Sequence, residues 1–158
     1  ELMGIPSFDT PDYSELFAEE KEMIGKLKKV FLMVAGAAIQ KFGTELDQHQ
    51  QLLMAAANIL NEIYMAESTL LRAEKNAKRF GEVAQEGQIA MAKLYLYNAV
   101  EIVTQNGKEG IISFAEGDEQ RMMLMGLKRF TKYSNYPNVI ALRNEIAEKL
   151  KAANKYCF

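Results

Sequence analysis

The chain has 158 residues, a formal net charge of −2, one histidine and one cysteine. That composition excludes a disulfide framework, a histidine-built metal centre and the broad positive field that recruits nucleic acid. Hydrophobic residues make up 49% and charged ones 25%, which predicts one globular domain over 1–158 with a substantial core rather than a disordered chain.

Glu1 to Asp9 carry Gly, Pro and mixed polarity without a period, and read as a lead-in linker over 1–10. The first residue is Glu1 rather than Met, which predicts a chain that was processed or cut from a longer one. No charged segment followed by an apolar core opens it, so no secretion signal is expected. With Cys157 as the lone thiol, a reducing, cytoplasmic setting is expected. Thr10 and Pro11 suit the N-cap and first position of a helix, with Asp12 and Glu15 in its opening turn. That helix is predicted to reach about Phe42, with a break near Glu19 or Gly25, and to end at Gly43. Its run Val30 to Ile39 is apolar all round, which predicts several enclosing neighbours, and Gly36 suits a close helix approach. The run is shorter than the roughly 20 residues a membrane span needs.

Asp47 to Phe80 is the strongest helix, free of Pro and Gly and rich in Ala, Leu, Glu, Lys and Arg. Leu52, Ala56, Ile59, Ile63, Ala66, Leu70, Ala73 and Ala77 recur at steps of three and four along one stripe. A second stripe of Leu53, Ala57, Leu60, Tyr64 and Leu71 runs beside it, which predicts a spine with neighbours on two sides. A third helix carries Ile89, Ala92, Leu96, Ala99 and Val103. Gly107 and Gly110 weaken it, so it is predicted to end near Gln105 or to continue, kinked, through Phe114. The fourth begins at Gly117, with acids first and Lys128, Arg129 and Lys132 last, as the helix dipole favours. Asn135 and Pro137 open a fifth, with Val139, Leu142, Ile146 and Leu150 inward. Short connections between long helices predict an all-α, up-and-down antiparallel bundle of four to five helices.

Chemistry is sparse. A di-metal carboxylate bundle needs two Glu-x-x-His pairs, whereas His49 follows Glu45 at four residues and is the sole histidine, so no metal site is predicted. Cys157 lies in a terminal tail, and Ser68, Ser113 and Ser134 carry no nucleophile-elbow motif. Glu62, Glu67, Glu74 and Glu101 sit on amphipathic helices, where carboxylates are mostly solvated or paired. Glu67 stands out because it falls on the second stripe, and pairing with Arg72 or a neighbour is expected. Two basic patches, Arg72–Lys75–Lys78–Arg79 and Arg121–Lys128–Arg129–Lys132, lie near helix C-termini, where cations are favoured without any ligand. The run Met122 to Met125 is too wide for one stripe and reads either as core filler or as half core, half docking surface. The candidate docking residues are Met122, Met123, Leu127, Arg129, Phe130 and Lys132; no catalytic or cofactor-binding residue is predicted.

The segments VAGAAIQKFG (34–43), YMAESTLLRAEK (64–75) and FAEGDEQRMMLMGLKRFTKY (114–133), with the ending NKYCF, resemble the C-terminal extension of very-long-chain-type acyl-CoA dehydrogenases. The resemblance runs over nearly the whole chain. It implies a second helical bundle packed on a dehydrogenase body that holds FAD, the acyl-CoA cleft and the catalytic glutamate. None of those motifs occurs in this sequence, so no family catalytic residue is carried onto it. It further implies a parent that oxidises long-chain acyl-CoA to trans-2-enoyl-CoA in fatty acid β-oxidation, and a dimeric assembly. The fragment itself is then expected to hold no cofactor, to meet acyl-CoA only through the parent, and to partner its own body and a second subunit. Asp at Met123 and Leu127 is expected to release it. The alternatives are a stand-alone interaction module that docks through helix 117–133, and a ligand- or cofactor-binding bundle enzyme.

Overall fold

The computed structural model describes residues 15–157. Among them the chain forms five α-helices: α1 (Ala18–Phe42), α2 (Gln50–Phe80), α3 (Glu86–Phe114), α4 (Gly117–Phe130) and α5 (Val139–Ala153). They make an all-α, up-and-down bundle, as the periodicity predicts. The linker over 1–10 and the Thr10–Pro11 cap lie outside the described residues.

α1 begins at Ala18 after Phe17, which is left-handed at φ 64°, close to the break expected near Glu19, and it runs without one at Gly25. Glu22 and Lys26 pair at 2.7 Å across one turn of it, one of the weak supports that carry a helix over a glycine. Gly43 and Gly81 end α1 and α2 at φ 53° and 90°, conformations that a side chain disfavours. The segment Gly43–Gln48 winds as a 3-10 turn, which moves the start of α2 from the predicted Asp47 to Gln50. α3 passes through both Gly107 and Gly110 and ends at Phe114. Asn138, not Asn135 or Pro137, caps α5: its side chain accepts a hydrogen bond from the Ala141 N–H at 3.1 Å.

α3 is the central helix and packs on α1, α2, α4 and α5. Leu27, Val30 and Val34 of α1 meet Ile59 and Leu70 of α2 and Leu96, Val103 and Ile111 of α3 in the core. Burial of each such side chain stabilises the fold by roughly 1.5–3 kcal/mol before entropy is counted. Ala66 and Ala73 on α2, with Ala92 and Ala99 on α3, are buried and keep the side chains between these helices short. Polar links follow the same α2–α3 seam. The Tyr95 hydroxyl donates to Glu62 at 3.1 Å, and the Asn76 amide donates to Gln88 at 2.7 Å.

The neighbours expected for α2 and α1 are present but do not cover them fully, and the inward placement expected for α5 needs correction. The spine α2 packs its main stripe on α3 and α1, but Leu53, Leu60, Tyr64 and Leu71 of the second stripe stay exposed. α1 has α2, α3 and α4 around it, yet its outward edge is bare: Leu32 is 67% exposed and Ile39 56%. α5 lies against α3 alone among the helices, so Val139, Leu142 and Ile146 are half-buried and Leu150 is exposed rather than inward.

Candidate docking surface

α4 is amphipathic, with Asp118 and Glu119 in its first turn and Lys128 and Arg129 in its last. The apolar residues in and just after its Met-rich run divide by helical geometry. Met123 and Leu127, four apart, turn inward and are 7% and 3% exposed; Met122 and Met125, three apart, turn outward and are 54% and 64% exposed. The reading of this run as half core, half surface is the one the geometry matches. Of the six candidate docking residues, Met123 and Leu127 are therefore core residues. Phe130 is half-buried against the core, while Met122, Arg129 and Lys132 remain on the surface. Met125, not among the six, joins them.

The exposed edge of α4 borders a cleft of about 340 Å³ against α1, lined by Met33, Ala37, Met122, Met123, Met125 and Gly126 together with Glu119 and Arg129. On the other flank of α1 a second groove runs against α2, lined by Phe31, Ala35, Ile39, Leu53, Ala57 and Leu60. α1 thus separates two apolar grooves, and Leu32 and Gly36 lie on the ridge between them. The result is one face across α2, α1 and α4. Helical spacing explains it: Leu53, Leu60 and Leu71 stand about 100° round α2 from its core stripe, on the side where α1 lies.

Apart from Glu119 and Arg129 in the α1–α4 cleft, the paired charges sit around this face. Glu67 pairs across to Lys28 at 2.6 Å, not to Arg72. Glu74, one of the helix acids expected to be solvated or paired, is paired and is also the buried one. It accepts hydrogen bonds from Lys78 at 2.7 Å and Lys21 at 2.9 Å, and the two lysines hold its carboxyl below the ordinary value. The signal was present: Glu74 lies four residues after Leu70 and three before Ala77, on the core stripe. Lys78 of the first basic patch is thereby committed to Glu74, and Arg79 stacks 5.0 Å over the Phe80 ring. In the second patch Arg121 pairs with Asp118. Both patches thus contain structural partners.

The remaining candidates are scattered. The His49 ring packs 3.7 Å from that of Phe42 at the start of α2, and Glu101 is exposed on α3. Cys157 is exposed near the Lys149 carbonyl. Among the described residues no group of three or more His, Cys, Asp or Glu converges as a metal site, and no helix is long and apolar enough to cross a membrane. Tyr133 was not singled out from sequence. Its ring is buried beside Tyr97 and Tyr136, and no group among the described residues bonds its hydroxyl. Burial, then the charges of Glu20 and Glu19, push that phenol well above the usual tyrosine range.

A model of the acyl-CoA dehydrogenase C-terminal domain matches residues 26–129, which includes α2, α3 and the two grooves beside α1. A probable acyl-CoA dehydrogenase of Bacillus subtilis (strain 168) is 32% identical over 143 residues, covering 90% of this chain and 24% of that protein. The crystal structure of an acyl-CoA dehydrogenase complexed with FAD from Bacillus anthracis matches with a TM-score of 0.87 and 34% identity. It covers 91% of this chain and 24% of the solved one. The chain thus spans about a quarter of the length of these relatives. A helical bundle matched in sequence and in fold over nine-tenths of its length by such proteins belongs to the acyl-CoA dehydrogenase C-terminal domain family.

Proposed function

We propose that this chain is the C-terminal accessory domain of an FAD-dependent acyl-CoA dehydrogenase. The whole enzyme oxidises long-chain acyl-CoA to trans-2-enoyl-CoA in fatty acid β-oxidation, in the cytoplasm, as a dimer. The observation that carries this reading is the close structural match, TM-score 0.87, to a chain crystallised with FAD. The domain's work is mechanical: it braces the catalytic body or the subunit interface and contributes no reacting group.

The two grooves beside α1 do not suit a flavin. A dinucleotide site needs convergent polar donors for the pyrophosphate and ring edge. The cleft between α1 and α4 has Glu119 and Arg129 as its charged residues and is otherwise lined by methionine, alanine and glycine. The groove between α1 and α2 is lined by apolar side chains throughout. On this reading FAD and acyl-CoA sit in the body of the parent enzyme.

The test is made on the full-length parent. It should purify with the absorbance of bound flavin and reduce an artificial electron acceptor when given long-chain acyl-CoA. A full-length protein that binds no flavin and oxidises no acyl-CoA of any chain length overturns the reading.

A further inference from the structure

Building on that functional reading, we infer that the α2–α1–α4 face is the seat of the catalytic body of the same chain, with the α1 ridge from Leu32 to Ile39 at its centre.

Leu32, Gly36 and Ile39 follow one another at steps of four and three, and so share one stripe of α1. From Val30 to Ile39 the helix carries no charge, and Leu32 and Ile39 are more than half exposed. The neighbouring residues on either side are apolar as well: Leu53 and Leu60 across one groove, Met122 and Met125 across the other. A contiguous apolar surface carried by three helices is more than a soluble domain ordinarily leaves to water.

Gly36 adds a geometric observation. A glycine inside a helix costs about 1 kcal/mol relative to alanine, and α3 shows what offsets that cost in this fold. A Cβ on Gly107 would stand 2.9 Å from Leu127, and one on Gly110 would stand 3.1 Å from Val34. Those glycines admit a neighbour. At Gly36 no heavy atom comes within 4 Å of the Cβ position, as also at Gly25. At the crest of an apolar ridge, that opening matches a partner that approaches the α1 backbone from outside the bundle.

The occupant follows from length and shape. In the matched relatives this bundle is about a quarter of the chain. The other three quarters is tethered to it, at an effective concentration no free partner matches. A single peptide helix would fill one groove and leave the second bare. The face has two grooves with a ridge between them, which suits a preformed folded surface.

Hydroxyl-radical footprinting of the flavin-loaded full-length enzyme tests this, with methionine oxidation as the readout. Met122 and Met125 lie on the face, whereas Met54, 58% exposed, lines neither groove. Met122 and Met125 should oxidise at least five-fold more slowly than Met54 at every protein concentration. In full-length Gly36→Trp they should oxidise at a rate comparable to Met54, with helicity unchanged. Equal rates in the wild type overturn the inference. So does protection lost on dilution, which would mean a second copy as occupant, or protection that survives Gly36→Trp. A full-length chain without flavin or activity fails the functional reading instead; an active, flavin-loaded enzyme with unprotected Met122 and Met125 fails this inference alone.

Discussion

Gly107 of α3 and Leu127 of α4 are in contact closer than any side chain at position 107 would permit, since a Cβ there would meet Leu127 Cδ1 at 2.9 Å and Val30 Cγ1 at 3.4 Å. Helix propensity alone favours Gly107→Ala by about 1 kcal/mol, but overpacking a filled core costs about 1–3 kcal/mol. Crowding wins, because Leu127 is itself buried and has little room to retreat. Gly107→Ala should therefore destabilise the full-length protein by about 1 kcal/mol. In a Leu127→Ala background the sign should invert, to a gain of up to about 1 kcal/mol. A urea-denaturation double-mutant cycle reads both values, and the same sign in both backgrounds refutes the contact.

Glu74 makes the acid dependence predictable. Its folded-state carboxyl titrates below its unfolded value because Lys78 and Lys21 donate to it. A lowered folded pKa means stability that is fully present above the unfolded carboxylate value, near 4.3, and lost as pH falls through the folded one. Glu74→Gln should cost about 1–2 kcal/mol at pH 7. The cost should shrink steadily below about pH 4 as the wild-type carboxyl takes up its proton. Denaturation midpoints of wild type and Glu74→Gln that keep a constant gap from pH 7 to pH 2.5 would contradict this.

The helices were legible in the sequence because their signals are local. The stripe from Leu52 to Ala77 and the glycines at 43 and 81 act over one or two turns, and the structure places them as read. What covers a stripe is not a local property. Leu53 and Leu60 look the same in sequence whether this chain or another surface buries them; α1 flanks the second stripe of α2, as its width predicts, but leaves it exposed. The α4 run was legible down to two alternatives, core filler or half core and half surface, and helical spacing decides between them by sending Met123 and Leu127 one way and Met122 and Met125 another. Gly107 and Gly110 announced a weakened helix; that they face Leu127 and Val34 needed the packing of α3.

Tyr133 has a buried hydroxyl with no bonding partner among the described residues, and its ring lies 6.2 Å from Tyr97 and 5.5 Å from Tyr136. Tyr133→Phe keeps the ring contacts and removes an uncompensated polar group, so at pH 7 it should be neutral or stabilising by up to about 1–2 kcal/mol. The raised phenol carries a second signature. Stability linked to a raised folded pKa is complete below the unfolded value, near 10, and declines as pH climbs past it. Wild type should lose stability between pH 9 and 11 by more than Tyr133→Phe does. A Phe variant that is the weaker protein at pH 7 would show that the hydroxyl has a partner.

α4 offers the sharpest contrast between neighbouring positions. Aspartate at Leu127, 3% exposed, or at Met123, 7% exposed, places an unpaired charge in the core and leaves a void where the side chain was. Losses above about 4 kcal/mol are the rule for that combination. Aspartate at Met122 or Met125, both more than half exposed, should change the bundle's own stability by no more than about 0.5 kcal/mol. Any effect of those two substitutions belongs to whatever the face touches. In the full-length enzyme Met122→Asp with Met125→Asp should leave far-ultraviolet circular dichroism unchanged while speeding release of a bundle-sized fragment on limited proteolysis. Leu127→Asp should instead lose helical signal or fail to accumulate. Release of an intact bundle by Leu127→Asp would mean that this leucine faces the body after all, and that the inward packing of α4 is wrong.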